Sequence, residues 1–317
     1  MDRVLVTGGA GFIGSNFVRH LLNNTNCVVV NLDKLTYAGN LNNIKDLRRE
    51  KRHEFIRGDI RNRKLVGSLV RKADAVVNFA AESHVDRSIQ TPSVFVESNV
   101  LGVQVLLEAC RRFGVRFEQI STDEVYGSRV EGSFVETDAL NPSSPYSASK
   151  AAADLLVNAY HVTYGLEVTV TRSTNNYGPN QHPEKLIPRL ITNALRGKRL
   201  PIYGSGENVR DWIFVEDNCR AILTVLEKGE KGQIYNIAGG NERKNIEIAC
   251  EILRRLLLPE TMVEFVAERP GHDFRYSLDC EKTARLSWKP QLTFEDGLQK
   301  TIDWYVTNKS WWRPLVD

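Results

Sequence analysis

The sequence predicts an α/β protein, a doubly wound parallel sheet with a smaller mixed α/β cap, and three observations carry that prediction. Short β-branched runs alternate with amphipathic stretches up to about residue 172, a glycine-rich turn stands where the first run ends, and after Asn175 the pattern changes to proline-bearing loops with short helices. The strand-like runs are 4–7, 27–32, 54–57, 75–79 and 117–122, and helical spacing covers 12–22 and 100–113. Strand, helix and strand in that order ask for right-handed crossovers and so for parallel pairing. The later part carries Pro179, Pro183, Pro188 and Pro201 around strand-like pieces at 200–203 and 233–237. Val215, Cys219, Ile222 and Leu226 follow helical spacing and lead into QIYNIA, which returns one segment to the main sheet. The expected division is therefore interleaved: 1–178 and about 209–238 in the sheet domain, about 179–208 and 239–317 in the cap. Trp304, Trp311 and Trp312 read as packing residues.

Composition narrows the classes of function. With 317 residues and 42% hydrophobic content the chain can bury a large core. Lys+Arg 42 against Asp+Glu 39 leaves +3, too small an excess to mark a binder of nucleic acid or of an acidic membrane, so neither partner is expected. Cys27, Cys110, Cys219, Cys250 and Cys280 are odd in number and contain no CxxC, which argues against a disulfide framework and fits a reducing cytoplasm. MDRVLVTGG has neither the cationic head of a signal peptide nor a spanning apolar run, and a cytoplasmic location is expected. His20, His53, His161 and His182 show no spacing with acids or cysteines that suggests a metal, so none is expected.

Thr7-Gly8-Gly9-Ala10-Gly11-Phe12-Ile13-Gly14 stands between a strand and a helix, where glycines permit a tight turn and let a pyrophosphate approach helix-terminal N–H groups. Asp33 ends the second strand about 20 residues further on, where a carboxylate accepts a ribose 2′-hydroxyl and repels a 2′-phosphate. Together they predict a Rossmann-type domain holding NAD rather than NADP. Asp59-Ile60, after the third strand, would bracket the adenine, although an Asp there also serves as a strand-end or capping residue.

Tyr146-Ser147-Ala148-Ser149-Lys150 puts a phenol and an ammonium at i and i+4 of a helix that begins after Pro145. A neighbouring ammonium and the positive helix end stabilise a tyrosinate, making Tyr146 a base for a sugar hydroxyl. Taken alone, such a pair is usually a surface aromatic and a solvated lysine.

With the glycine turn and Asp33, the Tyr-x-x-x-Lys pair resembles the extended short-chain dehydrogenases/reductases. Within them, NLDKLTYAGN (31–40), FAAESHVDRS (79–88), STDEVYG (121–127), NNYGP (175–179), PEKLIPR (183–189) and RPGHD (269–273) resemble the dTDP-glucose 4,6-dehydratases; Ser173-Thr174 and Glu268 depart slightly from the pattern. The resemblance implies an NAD-dependent hydro-lyase that turns dTDP-glucose into a 4-keto-6-deoxy product, and a homodimer joined through helices of the Rossmann domain. It gives Gly8, Gly11, Phe12, Ile13, Gly14, Asp33, Lys34, Leu35, Thr36, Asp59, Ile60, Phe79, Ala80, Ala81, Ser83, Asn99 and Asn176 to the cofactor, with Tyr146 and Lys150 reaching the nicotinamide ribose.

For the chemistry the resemblance names Thr122, Asp123, Glu124, Tyr146 and Lys150, with Asp123 as acid and Glu124 as base. The chemistry agrees: loss of water across C5 and C6 needs a temporary C4 ketone to acidify the C5 proton, then an acid and a base with separated pKa values. Thr122-Asp123-Glu124 by itself also reads as a strand end followed by a turn and cap. Thr122 and His84 are placed on the sugar, and Asn175, Lys185, Leu186, Pro201, Ile202, Tyr203, Arg210, Asn245, Arg269 and His272 on the nucleotide. Lys185, Arg210, Arg269 and His272 would be the local cations for two phosphates, and Tyr203 would stack on a pyrimidine. Arg210 has a competing reading as an ion pair with Asp211. His84 alone would be a satisfied core histidine. Two rivals share the cofactor: a nucleotide-sugar 4-epimerase, which has no use for a carboxylate pair, and a non-catalytic NAD sensor.

Overall fold

A computed structural model describes residues 1–268 and 271–316 of the protein. In chain order its strands are β1 (Arg3–Thr7), β2 (Val28–Asp33), β3 (His53–Arg57), β4 (Ala75–Asn78), β5 (Arg116–Thr122), β6 (Val168–Ser173), β7 (Asn175–Tyr177), β8 (Leu200–Tyr203), β9 (Val209–Phe214), β10 (Gln233–Ile237), β11 (Glu242–Lys244) and β12 (Val263–Val266). Seven form one sheet in the order β10-β6-β5-β4-β1-β2-β3, and every pair in it is parallel. The chain builds outward from β1 through β2 to β3, then returns to place β4 on the other side of β1. The strand order therefore reverses between β1 and β4, where a crevice opens at the carboxyl ends of the strands.

Alternation along each strand builds a core on both faces. Val4 and Val6 face the helices Phe12–Asn24 and Val215–Lys228 and pack with Phe17, Leu21, Ile222 and Leu226. Leu5 faces the other way, into a cluster with Val66, Leu106, Val157 and Val170 under the helices Arg63–Val70, Gly102–Phe113 and Pro145–Tyr164. Burying each such side chain contributes roughly 1.5–3 kcal/mol. The Val215–Lys228 helix and β10 return to the sheet as the pattern before QIYNIA predicts, with β10 pairing Gln233 to Ile237 along β6. One helical run, Pro92–Phe113, is by length and composition apolar enough to cross a membrane, at 22 residues and mean hydropathy 1.3, and 50% of its apolar window is buried inside the fold.

The cap holds a three-stranded sheet, β11-β9-β7, and a two-stranded one, β12-β8. Its core joins Tyr177, Ile187, Trp212, Phe214, Ile248, Phe294 and Trp312. The boundary differs from the sequence division at two places. β7 and β9, expected in the sheet domain, pair with each other, and Trp212 and Phe214 enter the cap core while Ile213 between them enters the sheet core. Trp288, expected in the cap, packs in the sheet core. A strand lying between two cores serves both through its alternating side chains, a division that a boundary in residue numbers does not express. Trp304 and Trp311 pack edge-on to each other, ring centroids 4.9 Å apart, and both against Tyr305, whose carbonyl accepts from Trp312 Nε1 at 2.7 Å.

Candidate active site

The crevice between β1 and β4 is a cavity of about 300 Å³ that brings the glycine turn and the Tyr146 helix to opposite sides of one space. On the first side, Gly8 takes φ 72° and lies so close to the β4 loop that a Cβ would stand 2.5 Å from the Ala80 nitrogen. A Cβ on Gly14 would stand 2.3 Å from the Gly8 carbonyl oxygen, so only glycine lets the helix approach the strand this closely. Gly11 caps that helix with no side-chain acceptor for its first N–H groups and faces the cavity, which leaves those donors for an anion.

Asp33 is 8% exposed, and one carboxylate oxygen accepts from the Ala10 N–H at 2.9 Å while the other accepts from the Leu35 N–H at 2.7 Å. Burial raises its pKa and these two amides oppose the rise. Asn43 donates to the Ala10 carbonyl at 2.9 Å, pinning the same turn from outside. Asp59 is bound by Lys34 at 3.0 Å and by Arg61 at 2.9 Å. Against burial, hydrogen bonds from Arg61 and Lys34 hold its carboxyl well below the ordinary range. Its Oδ1 also accepts the Arg61 N–H at 2.9 Å, so the strand-end reading of Asp59 holds geometrically while Asp59 and Ile60 still line the cavity. These features fit NAD: a glycine cradle, uncapped helix donors, a carboxylate at the end of β2, and the buried Asn176 Oδ1 without a partner inside the protein.

The Tyr146 helix starts at Pro145, with Ser144 as cap and a reciprocal Ser144–Ser147 capping box. Tyr146 is 8% exposed and packs edge-on to Phe95 at 6.3 Å. The expected pairing of its phenol with Lys150 is not what the fold provides. Lys150 instead donates from Nζ to the Ile120 carbonyl oxygen at 2.5 Å, and burial brings its pKa down to about 8, with Asp154 opposing. Burial, then Glu124 and Asp123, push the Tyr146 hydroxyl well above its usual value, while a hydrogen bond with Thr122 pulls it down. The helical spacing sets the two stems side by side, but the long lysine stem turns its charge onto β5.

At the end of β5, Thr122 caps a 3-10 turn over Asp123–Tyr126 by accepting the Glu124 N–H at 3.3 Å, and donates to Asp123 Oδ1 at 3.1 Å. The turn-and-cap reading is thus geometrically correct, and the same turn presents both carboxyls to the cavity. Asp123 is 2% exposed with Oδ2 unpartnered. Burial, reinforced by the Glu124 charge and Asp211 and opposed by Thr122 and Arg210, raises its pKa well above the carboxylate range. A buried carboxyl whose protonated form is favoured by burial stands beside a second, half-buried one.

Of the proposed cofactor residues, Leu35 and Asn99 do not line the cavity. Leu35 sits at φ 58° and shapes the turn after Asp33. The Asn99 amide is fully engaged, exchanging hydrogen bonds with the Glu82 backbone at 2.9 and 3.0 Å and donating to Ser149 Oγ at 2.8 Å, so it braces the wall. Asn175 and Lys185 do line it, and Lys185 donates from Nζ to the Ser83 carbonyl at 2.6 Å. His84 caps the helix Val85–Gln90, accepting the Arg87 N–H through Nδ1 at 3.3 Å, with Nε2 3.8 Å from Glu184.

Leu186, Pro201, Ile202, Tyr203, Arg210, Asn245 and His272 stand on the cap and do not line this cavity. Ile202 is 1% exposed in the cap core, so its side chain cannot meet a ligand. Tyr203 places its hydroxyl 3.4 Å from Asp86 and its ring edge-on to His272, and the His272 imidazole meets Glu268 at 2.6 Å. Asn245 opens the helix Asn245–Arg255 with a buried, unpartnered Oδ1. Arg269 lies outside the described residues. Arg210 does not pair with Asp211: its guanidinium donates to the carbonyls of Val209, Asp273 and Phe274 at 2.7, 2.8 and 3.1 Å and stacks 4.3 Å above Tyr276. Asp211 accepts instead from the Gly239 N–H at 2.8 Å, because neighbours on a strand face opposite ways.

Several lining residues escaped the sequence reading, among them Ser98, Gln181, His182 and Glu184. Glu184 lies inside PEKLIPR, so membership of that block was its one visible signal; the others are polar residues with no spacing of their own. Among the described residues no group of three or more His, Cys, Asp or Glu could hold a metal ion.

Comparison with known proteins agrees with this arrangement. A family model described as GDP-mannose 4,6 dehydratase matches residues 5–301. The chain is 54% identical to the low-salt glycan biosynthesis protein Agl12 of Haloferax volcanii, over 96% of this chain and 98% of that one. It is 51% identical to the dTDP-glucose 4,6-dehydratase of Streptomyces niveus, over 99% and 95%. DesIV, the dTDP-glucose 4,6-dehydratase of Streptomyces venezuelae, solved with NAD bound, superposes with a TM-score of 0.97 at 52% identity over 99% of both chains. Matched along almost its whole length by sequence and by fold, the chain belongs to the GDP-mannose 4,6-dehydratase family, among its dTDP-glucose 4,6-dehydratase members.

Proposed function

We propose that this chain converts dTDP-glucose to dTDP-4-keto-6-deoxyglucose. The observation that carries the reading is Asp123, a buried carboxyl with an unpartnered oxygen, in the cavity that also holds Glu124, Tyr146, Lys150 and the glycine turn, where burial favours its protonated form. When bound, NAD takes the C4 hydride, returns it to C6, and brings in its oxidised ring the positive charge that a buried tyrosinate needs. Tyr146 accepts the C4 hydroxyl proton, and Thr122, turning its one hydroxyl proton away from Asp123, donates to the C4 oxygen. Lys150, its ammonium held by the Ile120 carbonyl, is the charged donor for the ribose. Glu124 takes the C5 proton, Asp123 gives its proton to the C6 hydroxyl, which leaves as water, and Glu124 returns a proton to C5 as hydride reaches C6. Two carboxyls of one sequence differ in role because Asp123 is the more deeply buried.

A 4-epimerase needs Tyr146 but no protonated carboxyl beside a second one, so the Asp123–Glu124 turn favours elimination. The names of the relatives support thymidine as the nucleoside; Lys185, Arg210, Arg269 and His272 are proposed to meet its two phosphates and Asn245 another part of the nucleotide. We further propose a homodimer. Val94, Leu101, Leu155 and Val162 are 42, 52, 61 and 74% exposed on the helical run Pro92–Phe113 and the helix Pro145–Tyr164, which pack on each other, and these large apolar side chains left in the open support an interface there. The activity is tested by incubation with dTDP-glucose and with UDP-glucose and analysis of the sugar formed. A 4-keto-6-deoxy product from dTDP-glucose without stoichiometric NADH is expected; a C4 epimer that retains its C6 hydroxyl would overturn the reading.

A further inference from the structure

We propose that Tyr37, Arg87 and Glu184 form a strap at the rim of the cavity that slows release of the bound dinucleotide. The Arg87 guanidinium carbon stands 3.7 Å over the centre of the Tyr37 ring, and its Nε lies 3.5 Å from Glu184 Oε2. His182 closes on the same ring edge-on at 5.6 Å. The three residues come from three separate segments: the loop after Asp33, the helix Val85–Gln90, and the loop that leads into the helix Leu186–Leu195. Each segment borders the cavity next to its strap residue, through Thr36 and Ala38 on the first, Ser83 just before the second, and His182 and Lys185 on the third. The hydrogen bond from Lys185 to the Ser83 carbonyl, 2.6 Å, ties the second and third segments a second time.

The first segment begins at the carboxylate proposed for the adenosine ribose, and the third begins the cap. A ring gripped on one face by a cation, with that cation held in turn by a carboxylate of the cap, makes opening of the first loop depend on parting all three. The Arg87 side chain is 49% exposed and that of Glu184 13%, so the strap lies at the rim of the cavity, where it can slow exit without touching the reacting atoms. A reaction that returns its hydride gains from keeping its cofactor between turnovers.

The inference rests on NAD occupying this cavity. The test uses the full chain loaded with labelled NAD and diluted into excess unlabelled NAD, with loss of label followed over time. Arg87→Gln removes the cation, and Tyr37→Leu removes the ring face while leaving the ion pair. Arg87→Gln is expected to release NAD about tenfold faster, the sum of a cation–π contact and a half-exposed ion pair, and Tyr37→Leu about fivefold faster, the cation–π contact alone. Arg87→Lys, which restores a cation, is expected to stay within about threefold of the parent. The double variant should release no faster than the faster single one, because a strap cut once is open. Release from both single variants at the parent rate, or fully multiplicative effects in the double variant, overturns the strap. If Arg87→Gln fails to fold, Tyr37→Leu and Arg87→Lys decide the matter alone. A parent chain that takes up no label overturns the NAD reading itself and the strap with it.

Discussion

At the scale of single residues, the site separates two kinds of proton chemistry. On the proposed reading Tyr146 acts while the sugar is oxidised, and Asp123 and Glu124 only afterwards. Tyr146→Phe keeps the ring that packs on Phe95 but removes the accepting oxygen, so hydride transfer and product formation should fall together, by roughly 100-fold or more. Asp123→Asn and Glu124→Gln keep shape and remove carboxyl chemistry. In single turnover they should let C4 oxidation proceed and accumulate enzyme-bound NADH, read by its absorbance, while product falls by a similar factor. Solvent deuterium appearing at C5 in Asp123→Asn without water loss would assign Asp123 as the acid. Full turnover in the carboxamide variants would reduce the pair to the turn and cap that Thr122 visibly makes.

At the scale of elements, β5 carries polar residues where a central strand of a parallel sheet ordinarily carries apolar ones. It ends in Thr122, receives Lys150 on the Ile120 carbonyl, and sets Ser121 on Asp154 at 2.9 Å, with Asp154 in turn paired to Arg172 at 2.9 Å. Glu118 on the same strand is fully buried, and both carboxyl oxygens lack partners. Burial, opposed by Arg116, raises its pKa well above the carboxylate range, so the folded protein keeps a proton that the unfolded chain gives up above about pH 4.3. The folded state therefore carries no penalty from Glu118 below that pH and a growing one as pH rises toward the folded pKa. Glu118→Gln keeps volume and removes the titration. Its melting temperature relative to the parent should improve between pH 5 and pH 8, by about 2 °C or more. A difference that does not change with pH would show that Glu118 is ionised and compensated in the folded protein.

At the scale of the whole molecule, the two cores are stitched at the cofactor turn. The Trp311 Nε1 donates to Asn43 Oδ1 at 2.8 Å, and Asn43 donates onward to the Ala10 carbonyl at 2.9 Å, so the C-terminal helices of the cap reach the glycine turn through one side chain. The proposed homodimer makes the exposed apolar faces of the helices at 92–113 and 145–164 interior. Leu155→Arg combined with Val162→Glu should give a monomer by light scattering at concentrations where the parent is dimeric, with an unchanged circular dichroism spectrum. A charge pair placed on that face without effect on mass would assign the apolar surface to another role.

The sequence by itself determined what is local. The glycine turn, Asp33 at the end of its strand, the i and i+4 spacing of Tyr146 and Lys150, the Thr122-Asp123-Glu124 turn and the return of QIYNIA to the sheet are all set by periodicity and turn chemistry over a few residues. The motif blocks then named the family, because each occupies a definite place in the alternation of strands and helices. What only the tertiary structure decided comes from partners far apart in the chain. Lys150 finds its acceptor 30 residues away and Arg210 its carbonyl at Phe274, 64 residues away. Burial raises the Asp123 pKa because several segments together exclude water from it, and Tyr37, Arg87 and Glu184 meet only when two loops and a short helix come together beside one cavity. Spacing orders side chains along one element, whereas the dielectric and the partners of a charged group are set by what the fold packs around it.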